Sequence, residues 1–388
     1  MTYYVRVGDV PRKRHTWHRD ASGARLAEEL MGEEGFSGAS SLLYHRHSPS
    51  AITAVEEVSV PRSALTANEP LLPWHVVAPK LEAGGDMVTA RRVLFGNRDV
   101  TLCWVAAGQS SDLYRNAAGD ELVYIQSGQA RFESVFGCIE AGAGDYLLIP
   151  ASTTHRWAIT GDTEVRALVV EGWRHISIPA RYLTATGQLR EGAPFCERDL
   201  RVPAGPHVVD EDGPVPVLVR GRQGWSRHTH ARHPFDVVGW DGSAYPFALS
   251  IRDFEPIVGR IHQPPPVHQT FAGEGFVVCS FVPRLFDFDP DAIKVPYHHA
   301  NVDSDEVLFY AEGDFMSRRG AGIQEGSLTL HPAGFVHGPQ PGSVEASVGA
   351  TRTEETAVMV DTFSPLAVSG DARSVADSEY PWSWARDV

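Results

Sequence analysis

"PYHHANVDSDEVLFYAEG", residues 296–313, sets two adjacent histidines, a run of acidic residues and a glutamate directly before the apolar segment 307–310. A solvated turn would account for the polar residues alone. Further on, "GSLTLHPAGFVH" (326–337) brings Gly326, Pro332, Gly334 and His337 in quick succession. The same order occurs earlier in the chain. Glu121 and Gly128 match Glu306 and Gly313, and Gly144, Pro150 and His155 match Gly326, Pro332 and His337. The glutamates are 185 residues apart and the histidines 182. Several position types in one order at a near-constant offset are the mark of an internal repeat, here a duplicated domain.

The rest of the sequence says what kind of domain. The 36 glycines and 27 prolines cut the chain into short segments. Many have strand character: "VTLCWVAA" (100–107), "LVYIQSG" (122–128), "DYLLIP" (145–150), "VRALVVEG" (165–172), "FVVCSFVP" (276–283), "VLFYAEG" (307–313) and "AVMVDTF" (357–363). Short β-rich runs between turn residues predict barrels or sandwiches, an all-β fold, rather than alternating β and α units. "GARLAEELMG" (23–32) is the clearest helix candidate. The Pro-, Gly-, Arg- and His-dense stretch after residue 172 reads as a loop-like connector. The expected organisation is therefore residues 1–172, a connector 173–235, and 236–388.

Composition excludes several function classes. Across 388 residues, 49 acidic against 34 basic side chains give a net charge of −15, and no basic tract tracks phosphates, so nucleic acid is not an expected partner. The four cysteines, Cys103, Cys138, Cys196 and Cys279, lie far apart without a CxxC, which argues against a disulfide framework or thiolate zinc site and fits reduced thiols. No run of about 18 apolar residues and no signal-like N-terminal segment occurs, so the expectation is a cytoplasmic protein with no membrane partner.

With those residues in view, the chain resembles the cupin family, whose motifs run G-x5-H-x-H-x3–4-E-x6-G and G-x5-P-x-G-x2-H. His299, Asn301, Glu306 and Gly313 match the first, with Asn in place of the second histidine; Gly326, Pro332, Gly334 and His337 match the second. The resemblance implies a bicupin, two β-barrel (jelly-roll) domains with short helices and long loops, in which ligands point into the lumen from neighbouring strands. His299, Glu306 and His337 would then form the two-histidine, one-carboxylate facial set of non-heme iron, with Mn(II) second to Fe(II). A structural zinc would prefer a closed four-ligand site. His298 faces the opposite side of a strand from His299 and stays outside the ligand set. In the first half Tyr114 and Asn116 stand where His299 and Asn301 do, so only Glu121 and His155 remain and that barrel is expected to be a scaffold.

A narrower resemblance, to the homogentisate 1,2-dioxygenase family in a compact bacterial form, rests on "FDVVGWDGSAYPF" (235–247), "IHQPPPVHQTF" (261–271), "PYHHANVDSDE" (296–306), "SLTLHPAGFVHGP" (327–339), "FSPLAVS" (363–369) and "GDELVYIQSGQARFESVFG" (119–137). It covers roughly residues 100–370, most strongly the second half. It implies ring cleavage of a small aromatic by Fe(II) with dioxygen as co-substrate, homogentisate giving maleylacetoacetate, as in tyrosine and phenylalanine catabolism. It further implies a homo-oligomer, a trimer or dimer of trimers. His262 matches the family's acid–base histidine and His331 a further pocket histidine; an imidazole titrating near neutrality suits both tasks. Against this stands a plainer reading for His262, a loop histidine capping the Pro-rich turn. His268 and the prolines 264–266 are expected to wall the pocket.

His228, His230 and His233 read as surface histidines of the connector. Phe315 stands where the family has tyrosine, which leaves the ring substituent open; Tyr310 is a possible replacement. Arg284, Arg318 and Arg319 are candidates for the substrate carboxylate. Three alternatives stay open: a related hydroquinone or gentisate-type dioxygenase, a non-oxidative isomerase, and a binding protein. Glu306 argues against the three-histidine gentisate pattern, and the absence of Lys or Arg from 296–315 against a sugar-phosphate isomerase.

Overall fold

The computed structural model describes residues 2–385 apart from 257, 259–264 and 319. His262, Pro264 and Arg319 therefore lie outside the described residues. The expected all-β architecture is the one observed: among the described residues the only α-helices are Ser343–Ala346 and Gly370–Ser374.

Two compact units arise, each from discontinuous stretches. The first contains residues 1–61, 84–91 and 105–250; the second 62–83, 92–104 and 251–388. The linear boundaries at 172 and 235 are thereby corrected. Trp74–Val77 pairs antiparallel with Ser327–His331, a ladder that carries an early segment into the second unit. The supposed connector is also ordered structure. Val215–Arg220 and Trp225–His230 form a hairpin. They join a sheet of the first unit in the order Gly137–Gly142, Gln129–Ser134, His155–Ile159, Tyr114–Asn116, Val215–Arg220, Trp225–His230, Ile52–Val58. Prolines and arginines masked the alternation of "VPVLVR", whose Val217 and Val219 are buried.

The expected helix at 23–32 is a strand instead. Ala27–Gly32 pairs residue for residue with Ser40–His45. Good helix formers yield here because tertiary pairing outweighs a weak local propensity.

In the second unit six antiparallel strands lie in the order Gln269–Gly273, Phe276–Phe281, Thr356–Thr362, Asp305–Glu312, Ser327–His331, Trp74–Val77. Val278, Phe309, Leu328, Leu330 and Val360 are fully buried along them. The register places Glu306 directly opposite His331 on one side and Asp361 on the other. Directly opposed residues of antiparallel strands project to the same face. All three side chains thus converge.

Candidate metal centre

Glu306 sits near the start of its strand, and the two other expected ligands reach it from loops locked to each other. His299 and His337 form an isolated antiparallel bridge, exchanging N–H···O bonds of 2.8 and 2.9 Å. Their rings lie 4.3 Å apart. Gly334, at φ +77°, donates its N–H to the Asn301 carbonyl at 2.7 Å and ties the second loop to the first. His299 Nε2 lies 3.8 Å from Glu306 Oε2, and His337 Nε2 lies 3.3 Å from Oε1. These three residues form one of the two clusters of metal-binding character among the described residues.

The protonation pattern is set locally. His299 Nδ1 is 3.0 Å from the Tyr297 carbonyl and His337 Nδ1 3.0 Å from that of Phe335. A carbonyl only accepts, so each Nδ1 carries a proton and each ring turns its Nε2 toward Glu306, whose hydrogen bond raises the His299 pKa. His337 Nε2 is buried with no hydrogen bond. A divalent ion in place of the protons between these Nε2 atoms and the carboxylate would satisfy all three groups, so the donor set fits a metal ion. His299 is the accessible member, its side chain 28% exposed.

Burial raises the Glu306 carboxyl, but the three imidazoles of His299, His331 and His337 outweigh it and hold the group well below the usual carboxylate range. His331 is the third imidazole, fully buried and with both nitrogens engaged. Its Nδ1 meets Glu306 Oε1 at 2.9 Å and its Nε2 the Tyr380 hydroxyl at 2.8 Å. The ring stacks on His337 at 4.0 Å. Burial pushes its pKa down to about 3. The neutral ring donates from Nδ1 to the carboxylate and accepts the tyrosine hydroxyl at Nε2, which fixes Glu306 in place.

Asp361 escaped the sequence reading. Burial, then the nearby Glu306 charge, push its carboxyl up to about 8, and Oδ1 is buried without a partner. Only strand register brings it beside Glu306, 55 residues away in sequence, so no motif could have found it.

The expected substrate groups are dispersed. Phe315 is buried and packs edge-on against Tyr310 at 4.9 Å. Arg318 is buried, donating to the Tyr310 hydroxyl at 3.1 Å and to the Gly338 carbonyl at 2.6 Å. Arg284 lies 3.7 Å from Glu355. His298 is exposed, and His268 is buried against Phe281. His230 and His233, expected at the surface, are buried in the first unit.

The first unit repeats the scaffold with different occupants. Tyr114 pairs with His155 as His299 does with His337. His155 Nδ1 likewise meets the carbonyl two residues before it, that of Thr153, at 2.9 Å. Here Arg91 supplies the cation: its guanidinium grips both oxygens of Glu121 at 2.8 and 2.9 Å and reaches Glu171 at 2.9 Å. Tyr114 and Asn116 donate to Glu121 as well. The second metal-like cluster, Glu133, Cys138 and His207, is also met by protein cations. Glu133 accepts from Arg156 at 2.6 Å and lies 3.8 Å from Arg131.

Comparison with known proteins adds three findings. The cupin-domain family model matches residues 102–171. A Saccharolobus solfataricus protein named "Putative dioxygenase" is 41% identical over 389 residues, 99% of each chain. The homogentisate 1,2-dioxygenase of Rhodopseudomonas palustris is 26% identical over 287 residues, 71% of this chain and 59% of its own length, so the chain spans about three fifths of that relative.

Proposed function

The chain belongs to the same family as the Saccharolobus solfataricus protein named "Putative dioxygenase" and carries a cupin domain, and on that premise we propose that it is an Fe(II)-dependent dioxygenase that cleaves an aromatic ring. His299, Glu306 and His337 hold the metal, with Mn(II) the second choice. The observation that carries the reading is the pair of inward Nε2 atoms set against one buried carboxylate, a three-ligand set of the kind that leaves positions for substrate and oxygen. Bound there, iron supplies the redox step, sharing electrons with both dioxygen and an electron-rich ring.

The chain's own residues do the rest. Tyr380 and His331 orient Glu306 and keep it ionised. In the metal-free protein burial and the Glu306 charge keep the Asp361 carboxyl protonated to about pH 8, and strand register sets it opposite Glu306. His262 is the proposed acid–base group for the substrate hydroxyl. The ring is proposed to be that of homogentisate, giving maleylacetoacetate, because relatives named for that reaction align over most of the chain. Phe315 favours a second reading, a related hydroquinone with another substituent, since the hydroxyl expected there is absent and Tyr310 is bonded to Arg318 and Thr329. A cytoplasmic homo-oligomer, a trimer or dimer of trimers, completes the proposal. No helix among the described residues is long and apolar enough to cross a membrane.

The test is product analysis after anaerobic Fe(II) loading with homogentisate, gentisate and hydroquinone in parallel. A homogentisate product heavier by two oxygen atoms is expected. Turnover of hydroquinone alone would move the substrate, and no oxygen uptake with any would overturn the activity.

A further inference from the structure

The first unit holds a small polar cleft lined by, among others, Glu29, His45, Arg115, Ser152, His230 and His233. Two of its carboxylates, Asp236 and Glu29, flank one imidazole. His45 lies between Asp236 and Glu29, with Nδ1–Oδ1 2.6 Å and Nε2–Oε2 2.9 Å. Burial lowers the pKa of that imidazole, but the two carboxylates outweigh burial and raise it to about 9, so it is a cation at neutrality. Arg232 pairs with Asp212.

Arg115 is the second cation of the cleft, and with His45 it balances those two carboxylates. Its Nε donates to the Thr154 hydroxyl at 2.8 Å, and among the described residues no carboxylate lies within ion-pair distance of its guanidinium; Glu29 acts on it only through space. Two neutral imidazoles share the cleft with it. His230 is 95% buried, being 5% exposed, and its Nε2 has no hydrogen-bond partner. His233 accepts the Phe235 N–H at Nδ1, 3.1 Å, which leaves its proton on Nε2. Ser152 also lines the cleft at φ +66°, in the motif position that Gly334 fills in the second unit. A serine in that conformation is strained, as residues at binding sites often are.

We propose that this cleft binds a small oxyanion, a carboxylate or phosphate group, held by the Arg115 guanidinium with His230 as a second contact. A planar fork with free N–H groups is the side chain suited to such anions. The buried Nε2 of His230 then gains the partner it lacks. The inference stands independently of the proposed dioxygenase activity.

Calorimetric titration of the full chain at low ionic strength, with inorganic phosphate and with malonate as separate probes, tests it. Saturable one-to-one binding of at least one probe is expected, and which one binds distinguishes phosphate from carboxylate chemistry. Arg115→Met should weaken it at least tenfold. His230→Phe keeps the test open if that variant fails to fold: it removes an unsatisfied buried atom, so the free protein should melt higher while the probe binds more weakly. Silence with both probes, or unchanged affinity in His230→Phe and in any folded Arg115→Met, overturns the proposal.

Discussion

Each imidazole around Glu306 answers to a different partner, Tyr297, Phe335 or Tyr380, so the carboxylate is oriented by groups outside the ligand set. Removing one should loosen the metal without abolishing its site. His331→Leu is expected to lower Fe(II) or Mn(II) affinity by roughly 10- to 100-fold, read by metal titration, while saturating metal still gives one equivalent. Asp361 is destabilising as it stands. Its folded pKa lies above the unfolded value, so its cost to folding begins above about pH 4 and grows until about pH 8. Asp361→Asn should therefore stabilise the metal-free protein at pH 7 by about 1–3 kcal/mol, seen as a raised Tm, and lower turnover. His299, Glu306 and His337 were legible because ligand spacing on one or two hairpins is local in sequence. Asp361, Arg91 and Tyr380 were not, since each reaches its carboxylate or imidazole through pairing or packing that no short motif records.

The hairpins that deliver these side chains depend on particular glycines. Gly313 has φ +101°, and a Cβ there would sit 2.2 Å from the Glu354 carbonyl oxygen. Gly334 has φ +77° but open space around a Cβ, and Ser152 already takes its place in the first unit. Gly313→Ala should thus cost about 3 kcal/mol or more, strain added to overlap, whereas Gly334→Ser should cost about 1 kcal/mol; urea unfolding of both variants measures the contrast. The strands 100–107 and 165–172 were readable from their continuous apolar runs. Residues 27–32 and the hairpin 215–230 were misjudged for the same reason. Their local chemistry, helix formers in one and Pro with charge in the other, conceals a pattern that only the partner strand fixes.

Across the whole molecule the duplication explains why one repeat is expected to hold metal. The two units share the paired loops and the Nδ1-to-carbonyl bond, but Arg91 satisfies Glu121 in the first, and among the described residues no guanidinium pairs with Glu306 in the second. The repeat was visible in sequence; the guanidinium was not, because Arg91 lies 30 positions before Glu121, outside the motif. Stability should depend on pH through His45, whose pKa is raised from 6.5 to about 9. Its contribution is complete below about 6.5 and lost as pH rises through about 9, each unit being worth roughly 1.4 kcal/mol at most. Tm should fall between pH 7 and 9.5 in the natural protein and fall less in His45→Asn.

Most direct for the central claim is Fe(II) bound per chain after anaerobic loading, measured with oxygen uptake on homogentisate for the natural protein and Glu306→Ala. One iron per chain with equimolar oxygen and homogentisate consumption, both lost in Glu306→Ala, is the predicted result. Tight iron binding and full uptake in Glu306→Ala would contradict it.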